Sequence, residues 1–254
     1  MRIEGNVVLI TGASQGIGAA CAAEFARAGA KLSLTARSVG QALSPANTLL
    51  ISGDITQESA RREIVEQTLD RFGSIDILIN NAGAGLYEPS WNAAMEDVRW
   101  LMEVNFFAPL ALTRLVAPHM RARRSGMIVN VGSVGGKVPL PWMTLYSASK
   151  YALGALTEGL RMELKRDGIR TMIVCPGYVK TAFQRNARGG PIPATVERSR
   201  RFAITAAQCA AAIRRGVERD ARTVVTPAAA WLLVFAMRLF PSLVESRLAA
   251  INQT

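Results

Sequence analysis

The sequence predicts an α/β protein built on a doubly wound parallel sheet of about seven strands, with helices on both faces. Short apolar runs rich in β-branched residues alternate with longer stretches of helical period, which is typical of strands joined by crossover helices. Hydrophobic residues make up 50% of the 254 residues and charged residues 19%, so the chain can bury a sizeable core. The alternation has no linker in it, and we expect one domain over residues 1–254.

The expected elements follow this alternation in order. Seven apolar runs are expected to be strands: Val7–Ile10, Lys31–Thr35, Thr48–Ile51, Ile75–Asn80, Gly126–Val131, Ile169–Val174 and Thr223–Val225. Six longer stretches between them are expected to be helices: Ile17–Ala28, Gln57–Phe72, Ala94–Arg121, Leu145–Arg166, Thr205–Arg219 and Ala228–Leu239.

Two segments break the alternation. Ser38–Asn47 contains Gly40 and Pro45 and is too short for a full crossover helix. Gln184–Arg201 is rich in arginine, glycine and proline and shows neither a helical nor a strand period. A loop of that length inside a compact domain usually serves as a lid or a binding loop, so we expect a substrate lid around residues 184–201.

Composition narrows the function classes. The net charge of +11 favours an anionic partner, but the arginine clusters are short, scattered and not interleaved with aromatic residues, so no nucleic-acid partner is expected. Three distant cysteines and a single histidine, His119, offer neither a disulfide framework nor a metal site. The apolar run at Val7 is too short for a signal peptide, so a cytoplasmic location is expected.

The first expected strand runs directly into a glycine-rich turn at the start of an alanine-rich helix. Its glycines let the backbone bend sharply and approach a pyrophosphate, whose charge the free N–H groups of the helix N-terminus stabilise. This pattern predicts a dinucleotide-binding Rossmann fold. The residues expected to contact the cofactor here are Gly12, Ser14, Gln15, Gly16, Ile17 and Gly18.

The charge that follows the second expected strand indicates which cofactor binds. A free ribose 2′-hydroxyl is usually met by an acidic residue roughly 20 residues after the glycines, whereas a 2′-phosphate is met by an arginine. No acidic residue lies between Glu24 and Asp54, and Arg37 follows the second strand. NADP(H) is therefore expected in preference to NAD(H).

Three polar side chains are candidates for proton transfer. Ser133 follows the fifth expected strand, and Tyr146 and Lys150 are four residues apart, so they share one face of a helix. A tyrosine at its ordinary pKa of about 10 is a poor base near neutral pH. A nearby ammonium favours the phenolate, so Lys150 is expected to lower the pKa of Tyr146 and make its hydroxyl a usable acid or base.

Taken together, these motifs resemble the short-chain dehydrogenase/reductase family, in its single-domain form of about this length. The resemblance runs from Thr11 to Thr181. Its pieces are the glycine turn, Asp54 after the third strand, Asn80–Gly83 after the fourth, Asn105 in the long helix, Ser133, Tyr146 with Lys150, and Pro176–Thr181 after the sixth strand.

The resemblance implies a role for each matching residue. Tyr146 would donate or accept the proton, Ser133 would orient the substrate oxygen, and Lys150 would hold the nicotinamide ribose. Asn105 would keep a water in the proton relay, unless it marks a helix kink. On the cofactor side, Asp54 and Ile55 would border the adenine, Asn81, Ala82 and Gly83 would border the ribose or stabilise the sheet, and Pro176, Gly177, Val179 and Thr181 would border the nicotinamide amide.

The leading hypothesis is an NADPH-dependent oxidoreductase that interconverts a ketone or aldehyde and an alcohol by hydride transfer, with an apolar small-molecule substrate. Two alternatives stay open: a catalytically silent NADP-binding regulator, and a nucleotide-sugar epimerase or dehydratase, although the latter enzymes are generally longer. The pocket walls are expected from Ala84–Trp91, Val134–Trp142 and the lid. Similar enzymes commonly pair through their long helices, so a homodimer or homotetramer is expected.

The apolar stretch Ala228–Phe240 leaves one question open. It is too short to cross a bilayer and is interrupted by Arg238, so no transmembrane segment is expected there. We favour a buried or oligomer-facing helix beside the last strand. The other two uses are a wall of the substrate pocket and an apolar face resting on a membrane surface, which would make the protein peripheral to a membrane.

Overall fold

The computed structural model describes residues 1–38 and 47–251, and a parallel sheet lies at its centre. In chain order the strands are β1 (Val7–Thr11), β2 (Lys31–Ala36), β3 (Thr48–Ser52), β4 (Ile77–Asn80), β5 (Leu86–Tyr87), β6 (Gly126–Val131), β7 (Ile169–Pro176), β8 (Val179–Lys180), β9 (Arg188–Gly189), β10 (Ile204–Thr205) and β11 (Thr223–Thr226). The seven strands predicted from the sequence form one sheet in the order β11-β7-β6-β4-β1-β2-β3. The predicted fold class is confirmed.

The order of the strands indicates where along the edge of the sheet a ligand binds. The chain winds from β1 to β2 and β3 on one side, then returns to β4 on the other side of β1. In open parallel sheets, ligands bind outside the carboxyl ends of the strands where the direction of winding reverses. This point lies between β1 and β4, where the glycine turn leaves the sheet.

The helices of the described residues cover both faces of the sheet. In chain order they are α1 (Gly16–Arg27), α2 (Glu58–Phe72), α3 (Met95–Met102), α4 (Ala108–Ala122), α5 (Thr144–Glu163), α6 (Ala194–Ser199), α7 (Ala206–Glu218), α8 (Ala230–Leu239) and α9 (Pro241–Ile251). Alternate residues of a strand point to opposite faces. Val8 and Ile10 therefore pack with residues of α1 and α7, whereas Leu9 packs with residues of α2 and α4. Each fully buried aliphatic side chain contributes about 1.5–3 kcal/mol.

A chain of polar side chains crosses the buried sheet. Asn80 Nδ2 donates to Asn130 Oδ1 at 2.8 Å, and Asn130 Nδ2 donates to Thr157 Oγ1 at 2.8 Å. The Thr157 hydroxyl in turn donates to the Leu153 carbonyl at 2.7 Å. These bonds tie β4 and β6 to helix α5, which carries Tyr146 and Lys150.

The long helix expected over Ala94–Arg121 is interrupted. A π-helical turn, Glu103–Phe107, separates α3 from α4, and Asn105 lies inside it. The helical stretch Met95–Ala122 is long and apolar enough by composition to cross a membrane, yet here its Leu101 and Leu112 are completely buried in the protein core. Such π turns are frequent at functional sites.

The expected lid segment, Gln184–Arg201, has more regular structure than its sequence indicates. It contains α6, and its strand β9 pairs in parallel with β5. A six-residue helix is too short to show a helical period, and pairing with a strand far away in the sequence leaves no local signal. The expectation of an irregular loop over the whole segment is therefore wrong.

The helix expected over Ala228–Leu239 forms as α8, but it is not a core helix of this chain. Val234 is buried, whereas Leu232, Phe235 and Leu239 are 73%, 53% and 70% exposed. The reason is its position, because α8 follows the edge strand β11 and packs against the domain on one face only. A second helix, α9, follows directly from Pro241, and the sequence analysis does not predict it.

Candidate active site

The glycine turn at the end of β1 is shaped to accept a phosphate. Gly12 and Gly16 have φ values of +65° and +58°, which L side chains rarely adopt. A Cβ on Gly18 would lie 2.1 Å from the Gly12 carbonyl oxygen. Within the described residues, the exposed Gln15 side chain makes no capping hydrogen bond to the first turn of α1, so N–H groups there remain available to an anion. The residues present fit a dinucleotide pyrophosphate.

The segment after β4 holds this turn in place. Asn81 Nδ2 donates to the carbonyls of Thr11 at 2.8 Å and Gly12 at 3.2 Å. The backbone N–H groups of Asn81 and Ala82 both donate to Thr11 Oγ1 at 3.0 Å. The Asn81 side chain therefore positions the glycine turn, which supports the stabilising role left open in the sequence analysis.

The residues expected at the adenine end lie at the carboxyl ends of β2 and β3. Arg37 is exposed directly after β2. Asp54 follows β3 and accepts hydrogen bonds at 2.9 Å from both the backbone N–H and the hydroxyl of Thr56, and Ile55 beside it is buried. Of the short segment Ser38–Asn47 between these strands, residues 39–46 lie outside the described residues.

Ser133, Tyr146 and Lys150 meet at the carboxyl end of β6. The Ser133 side chain accepts a hydrogen bond from Gly135 N at 3.0 Å and is hydrogen-bonded to the Tyr146 hydroxyl. Lys150 Nζ lies 5.9 Å from the centroid of the Tyr146 ring and donates to the Val131 carbonyl at 3.0 Å. Tyr146 and Lys150 are both buried. The structure thus brings together the three side chains that the sequence analysis singled out for proton transfer.

Burial dominates the ionisation of this cluster. It raises the pKa of Tyr146 to about 12, although the hydrogen bond with Ser133 acts in the opposite direction. It lowers the pKa of Lys150 to about 8, because an ammonium is poorly solvated there. The expectation that Lys150 lowers the pKa of Tyr146 is not met in this closed arrangement, since the loss of water around the phenol outweighs any gain from the lysine.

Asn105 uses its side chain to connect three segments. Its Oδ1 accepts from Ala84 N at 2.8 Å, and its Nδ2 donates to the Ala84 carbonyl at 2.9 Å and to Ser149 Oγ at 3.0 Å. Both amide hydrogens are therefore committed to protein partners. A Cβ on Gly83 would lie 3.3 Å from both Asn105 Oδ1 and Lys150 Nζ, so Gly83 stands where these groups converge.

The segment Pro176–Thr181 reaches back to the glycine turn. Gly177 N donates to the Thr226 carbonyl at 2.8 Å, and Val179 is buried in β8, which pairs with β10. A Cβ on Gly16 would meet Thr181 Cγ2 at 3.2 Å. Thr181 is therefore close to the N-terminus of α1.

A phenylalanine that is not predicted from the sequence packs against the ring of the predicted proton donor. The rings of Phe183 and Tyr146 have centroids 5.8 Å apart at an interplanar angle of 60°. Phe183 also approaches Gly85, where a Cβ would lie 3.2 Å from the ring. It lies one residue before the expected lid, and an isolated aromatic residue at that place gives no signal of its contact with Tyr146.

A cavity of about 270 Å³ lies at the N-terminus of α5, where Thr144 is one of its lining residues. Two of the three expected walls meet there, with Trp91 from one and Leu140 and Trp142 from the other. The third side consists of Met237 of α8 and Leu248 of α9 instead of the lid. Of the uses left open for the apolar stretch, this position supports the pocket wall. The lining residues are Pro89, Ser90, Trp91, Pro139, Leu140, Pro141, Trp142, Thr144, Met237, Glu245 and Leu248.

Comparison with known proteins gives consistent matches. The family model described as short chain dehydrogenase matches residues 6–191. The "Dehydrogenase/reductase SDR family protein 7-like" of Anopheles gambiae is 33% identical over 274 residues, which cover 100% of this chain and 86% of that protein. The 3-ketodihydrosphingosine reductase of Bacteroides thetaiotaomicron is 35% identical over 181 residues, covering 71% and 66%. The "Dehydrogenase/reductase SDR family member 7B" of Mus musculus is 36% identical over 197 residues, and the match spans only 60% of its length.

Solved structures agree in fold and differ in cofactor. A short chain dehydrogenase from Burkholderia cenocepacia, in complex with NADP, has a TM-score of 0.83 at 29% identity, with 98% of this chain and 99% of that one covered. A short chain dehydrogenase/reductase from Burkholderia phymatum, in complex with NAD, has a TM-score of 0.86 at 25% identity, with 96% of each chain covered. These neighbours bind nicotinamide dinucleotides, and both forms of the cofactor occur among them.

Proposed function

Because this chain belongs to the short-chain dehydrogenase/reductase family, we propose that it is an NADP(H)-dependent oxidoreductase that interconverts a ketone or aldehyde and an alcohol. The observation that carries the proposal is the meeting of Ser133, Tyr146 and Lys150 at the carboxyl end of β6. The segment Asn81–Gly83 joins this cluster to the glycine turn, which supports placing the reacting groups and the cofactor at the same edge of the sheet.

The protein's own part in the reaction is proton transfer and orientation. A bound nicotinamide supplies a hydride to the carbonyl carbon, or takes one up from the alcohol. In reduction, the Tyr146 hydroxyl donates its proton to the carbonyl oxygen as the new C–H bond forms, while Ser133 donates a hydrogen bond to that oxygen. Because burial raises the pKa of Tyr146 to about 12, the phenol holds its proton near neutral pH, which suits it to this direction.

Lys150 restores the proton. With its pKa lowered to about 8, the ammonium can lose and regain a proton within the range of ordinary assay buffers. It would bind the nicotinamide ribose and return a proton toward Tyr146. The amide hydrogens of Asn105 are already donated to Ala84 and Ser149, so a relay water at this residue would have to donate to one of its oxygen atoms.

The preference for NADP(H) rests on Arg37. Its guanidinium is exposed at the carboxyl end of β2, where a 2′-phosphate of the adenosine ribose would lie. Asp54 is the first acidic residue after Glu24, and its Oδ1 accepts hydrogen bonds from both the backbone N–H and the hydroxyl of Thr56. An arginine that meets a phosphate gains charge-assisted hydrogen bonds that a 2′-hydroxyl cannot supply.

We further propose an apolar substrate and a lid. The cavity at the N-terminus of α5 is lined mainly by proline, tryptophan, leucine and methionine side chains, with Ser90, Thr144 and Glu245 as its polar members, and the Phe183 ring packs against the Tyr146 ring. On this proposal a substrate moves Phe183 as it approaches Tyr146, and the segment from Phe183 to Arg201 acts as the lid of a single domain.

Assembly and location complete the proposal. Exposed apolar side chains lie along the long helices: Phe107 directly before α4, and Met162 on α5. Such residues suit the pairing of copies into a homodimer or homotetramer. Light scattering at micromolar concentration would show a species above 27.3 kDa. The exposed Leu232, Phe235 and Leu239 of α8 suit contact with a second copy or, for an otherwise cytoplasmic protein, with a membrane surface.

A screen of carbonyl compounds tests the function directly. The purified protein is mixed with NADPH and a panel of 3-oxoacyl esters, ketosteroids, quinones and small ketones, and cofactor oxidation is followed. We expect turnover with at least one class. NADPH binding without turnover on any class would favour the silent regulator, and thermal stabilisation by nucleotide sugars would favour the epimerase or dehydratase.

A further inference from the structure

Tyr87 carries a buried hydroxyl that has no hydrogen-bond partner within residues 1–38 and 47–251. The side chain is 3% exposed and belongs to the same apolar cluster as Tyr146 and Met143. Burial, together with the nearby Tyr146 and Tyr178 hydroxyls, raises the pKa of Tyr87. The hydroxyl therefore keeps its proton near neutral pH and can act as a hydrogen-bond donor.

A buried donor without a partner destabilises the folded state, because its hydrogen bond to water is lost and not replaced. Phenylalanine would fill the same space without this penalty. Other buried atoms of the described chain also lack partners, such as Thr35 Oγ1 in β2 and Thr113 Oγ1 in α4, but these lie outside the cluster around Tyr146. Tyr87 differs from them in lying next to the proposed proton donor, where a ligand is expected.

The position of Tyr87 is fixed from the lid side. In the β5–β9 pair, Gly190 N donates to the Tyr87 carbonyl at 2.7 Å and Arg188 N donates to the Gly85 carbonyl at 3.0 Å. Arg188 in turn lies 3.8 Å over the Trp100 ring and donates to Asp97 at 2.7 Å, which anchors the lid on α3. The main chain of Tyr87 is thereby held by hydrogen bonds, and its phenol lies close enough to that of Tyr146 for the two groups to interact electrostatically.

We propose that Tyr87 is a specificity-determining residue, whose hydroxyl donates a hydrogen bond to a second oxygen of the substrate while Tyr146 acts on the carbonyl oxygen. The substrate class is then an apolar ketone that carries a further neutral acceptor, such as an ester, thioester or amide carbonyl. This inference rests on the proposed function, because it assigns Tyr146 as the group that meets the reacting carbonyl.

The test compares the wild-type protein with Tyr87→Phe on matched ligands. Three ketones of equal chain length are used: a simple alkyl ketone, a β-keto ester and a γ-keto ester. Their dissociation constants are measured by calorimetry with NADP⁺ present, so that no ketone is reduced and binding is read without turnover. Their KM and kcat are then measured with NADPH. Tyr151→Phe, which removes a hydroxyl from an exposed tyrosine of α5, is the control.

We expect the wild-type protein to bind at least one keto ester more tightly than the alkyl ketone, and Tyr87→Phe to lose about tenfold for that ester alone. The loss should appear in KM, with NADPH affinity unchanged and the melting temperature equal or higher. Equal losses for all three ketones, no loss for any, or a lowered melting temperature would overturn the inference. Failure of the proposed function is a separate result, namely ketone binding that Tyr87→Phe weakens selectively but that leads to no turnover in the wild-type protein.

Discussion

The cofactor half and the substrate half of the candidate site are built in opposite ways. Around the glycine turn, side-chain hydrogen bonds hold the backbone carbonyls, as in the two from Asn81 Nδ2 to Thr11 and Gly12, while N–H groups of the first turn of α1 stay available to an anion. Around the lid, apolar contacts close the site, with Phe183 on Tyr146, and the Tyr87 hydroxyl is left without a partner in the described chain. The glycine turn can receive a phosphate as it stands, whereas on the proposed function a substrate has to move Phe183. We therefore expect changes in the proposed lid to alter substrate binding and to leave cofactor binding unchanged.

The largest expected effect is a loss of turnover without a loss of cofactor binding when Tyr146 is substituted. Tyr146→Phe keeps the ring and its packing but removes the exchangeable proton, so kcat should fall about 10²–10⁴-fold. NADPH affinity, measured by fluorescence titration, should stay within about twofold of wild type, because the glycine turn is untouched. Near-normal turnover would show that Tyr146 is not the proton donor, and a parallel loss of NADPH binding would break the separation between the halves.

The second prediction addresses the cofactor half alone. Arg37→Asp should weaken NADPH binding by about tenfold to a hundredfold, since charge-assisted hydrogen bonds to the 2′-phosphate are lost and a like charge is introduced. NADH affinity should hold or improve, because a carboxylate accepts hydrogen bonds from a 2′-hydroxyl. The same change at the exposed Arg215 of α7 controls for net charge. An unchanged ratio of the two dissociation constants would assign phosphate recognition elsewhere.

The third prediction follows from the buried lysine between the halves. Burial lowers the pKa of Lys150 from 10.5 to about 8, so between these values the unfolded chain binds more protons than the folded one. The contribution of Lys150 to the free energy of unfolding should therefore rise with pH across this window, by about 2 kcal/mol from pH 8 to 10. Burial also raises the pKa of Cys21, Cys175 and Cys209 above 9.0, so these thiols contribute in the opposite direction over the same range. Denaturant titrations should therefore show the rise in the difference between the wild-type protein and Lys150→Met, in which the cysteine contributions cancel.

The exposed Lys165→Met serves as the control for that experiment and should follow the wild-type pH profile. Measurements stop at pH 10, because Tyr146 adds an opposite slope above that value: its folded pKa of about 12 exceeds its ordinary value of 10.0. If the difference in unfolding free energy between the wild-type protein and Lys150→Met did not rise between pH 8 and 10, Lys150 would not be the buried cation described here.

The smallest expected effect concerns the lid. Arg188→Met removes the ion pair with Asp97 and the stacking on Trp100, both partly exposed and together worth about 1 kcal/mol. The substrate KM should change a few-fold while NADPH affinity stays constant. Arg198→Met, an exposed arginine of the same segment, is the matched control. A change in NADPH affinity with Arg188→Met would contradict the independence of the two halves.

Prediction from sequence succeeds where the signal is local. The glycine turn follows β1 directly, and Tyr146 and Lys150 are one helical turn apart, so spacing alone brings these residues to the positions that the structure gives them. The seven sheet strands are likewise short runs of buried aliphatic residues, and each was identifiable from its own composition. The strands of the sheet and the residues of the cofactor half can therefore be predicted from local sequence patterns.

The substrate half depends on contacts between segments far apart in the sequence. The pairing of β5 with β9 and the contact of Phe183 with Tyr146 join such segments, and neither leaves a periodic pattern. Met237 and Leu248 line the cavity only because α9 folds back at Pro241. The pKa of Tyr146 is set by how completely this half closes over it, which no spacing between Tyr146 and Lys150 reveals.

The buried asparagine pair also affects the register in which strands β4 and β6 pair. Asn80 and Asn130 lie opposite each other in the β4–β6 pair, among neighbours such as Ile79 and Val129 that would pack comparably if the strands slid. A slip of one residue would turn Asn130 toward the other face and separate the two amides. Each unbonded buried amide would then cost about 1–3 kcal/mol. The pair therefore favours the observed register of β4 against β6, because a slipped pairing that the aliphatic residues alone would tolerate leaves both amides unbonded.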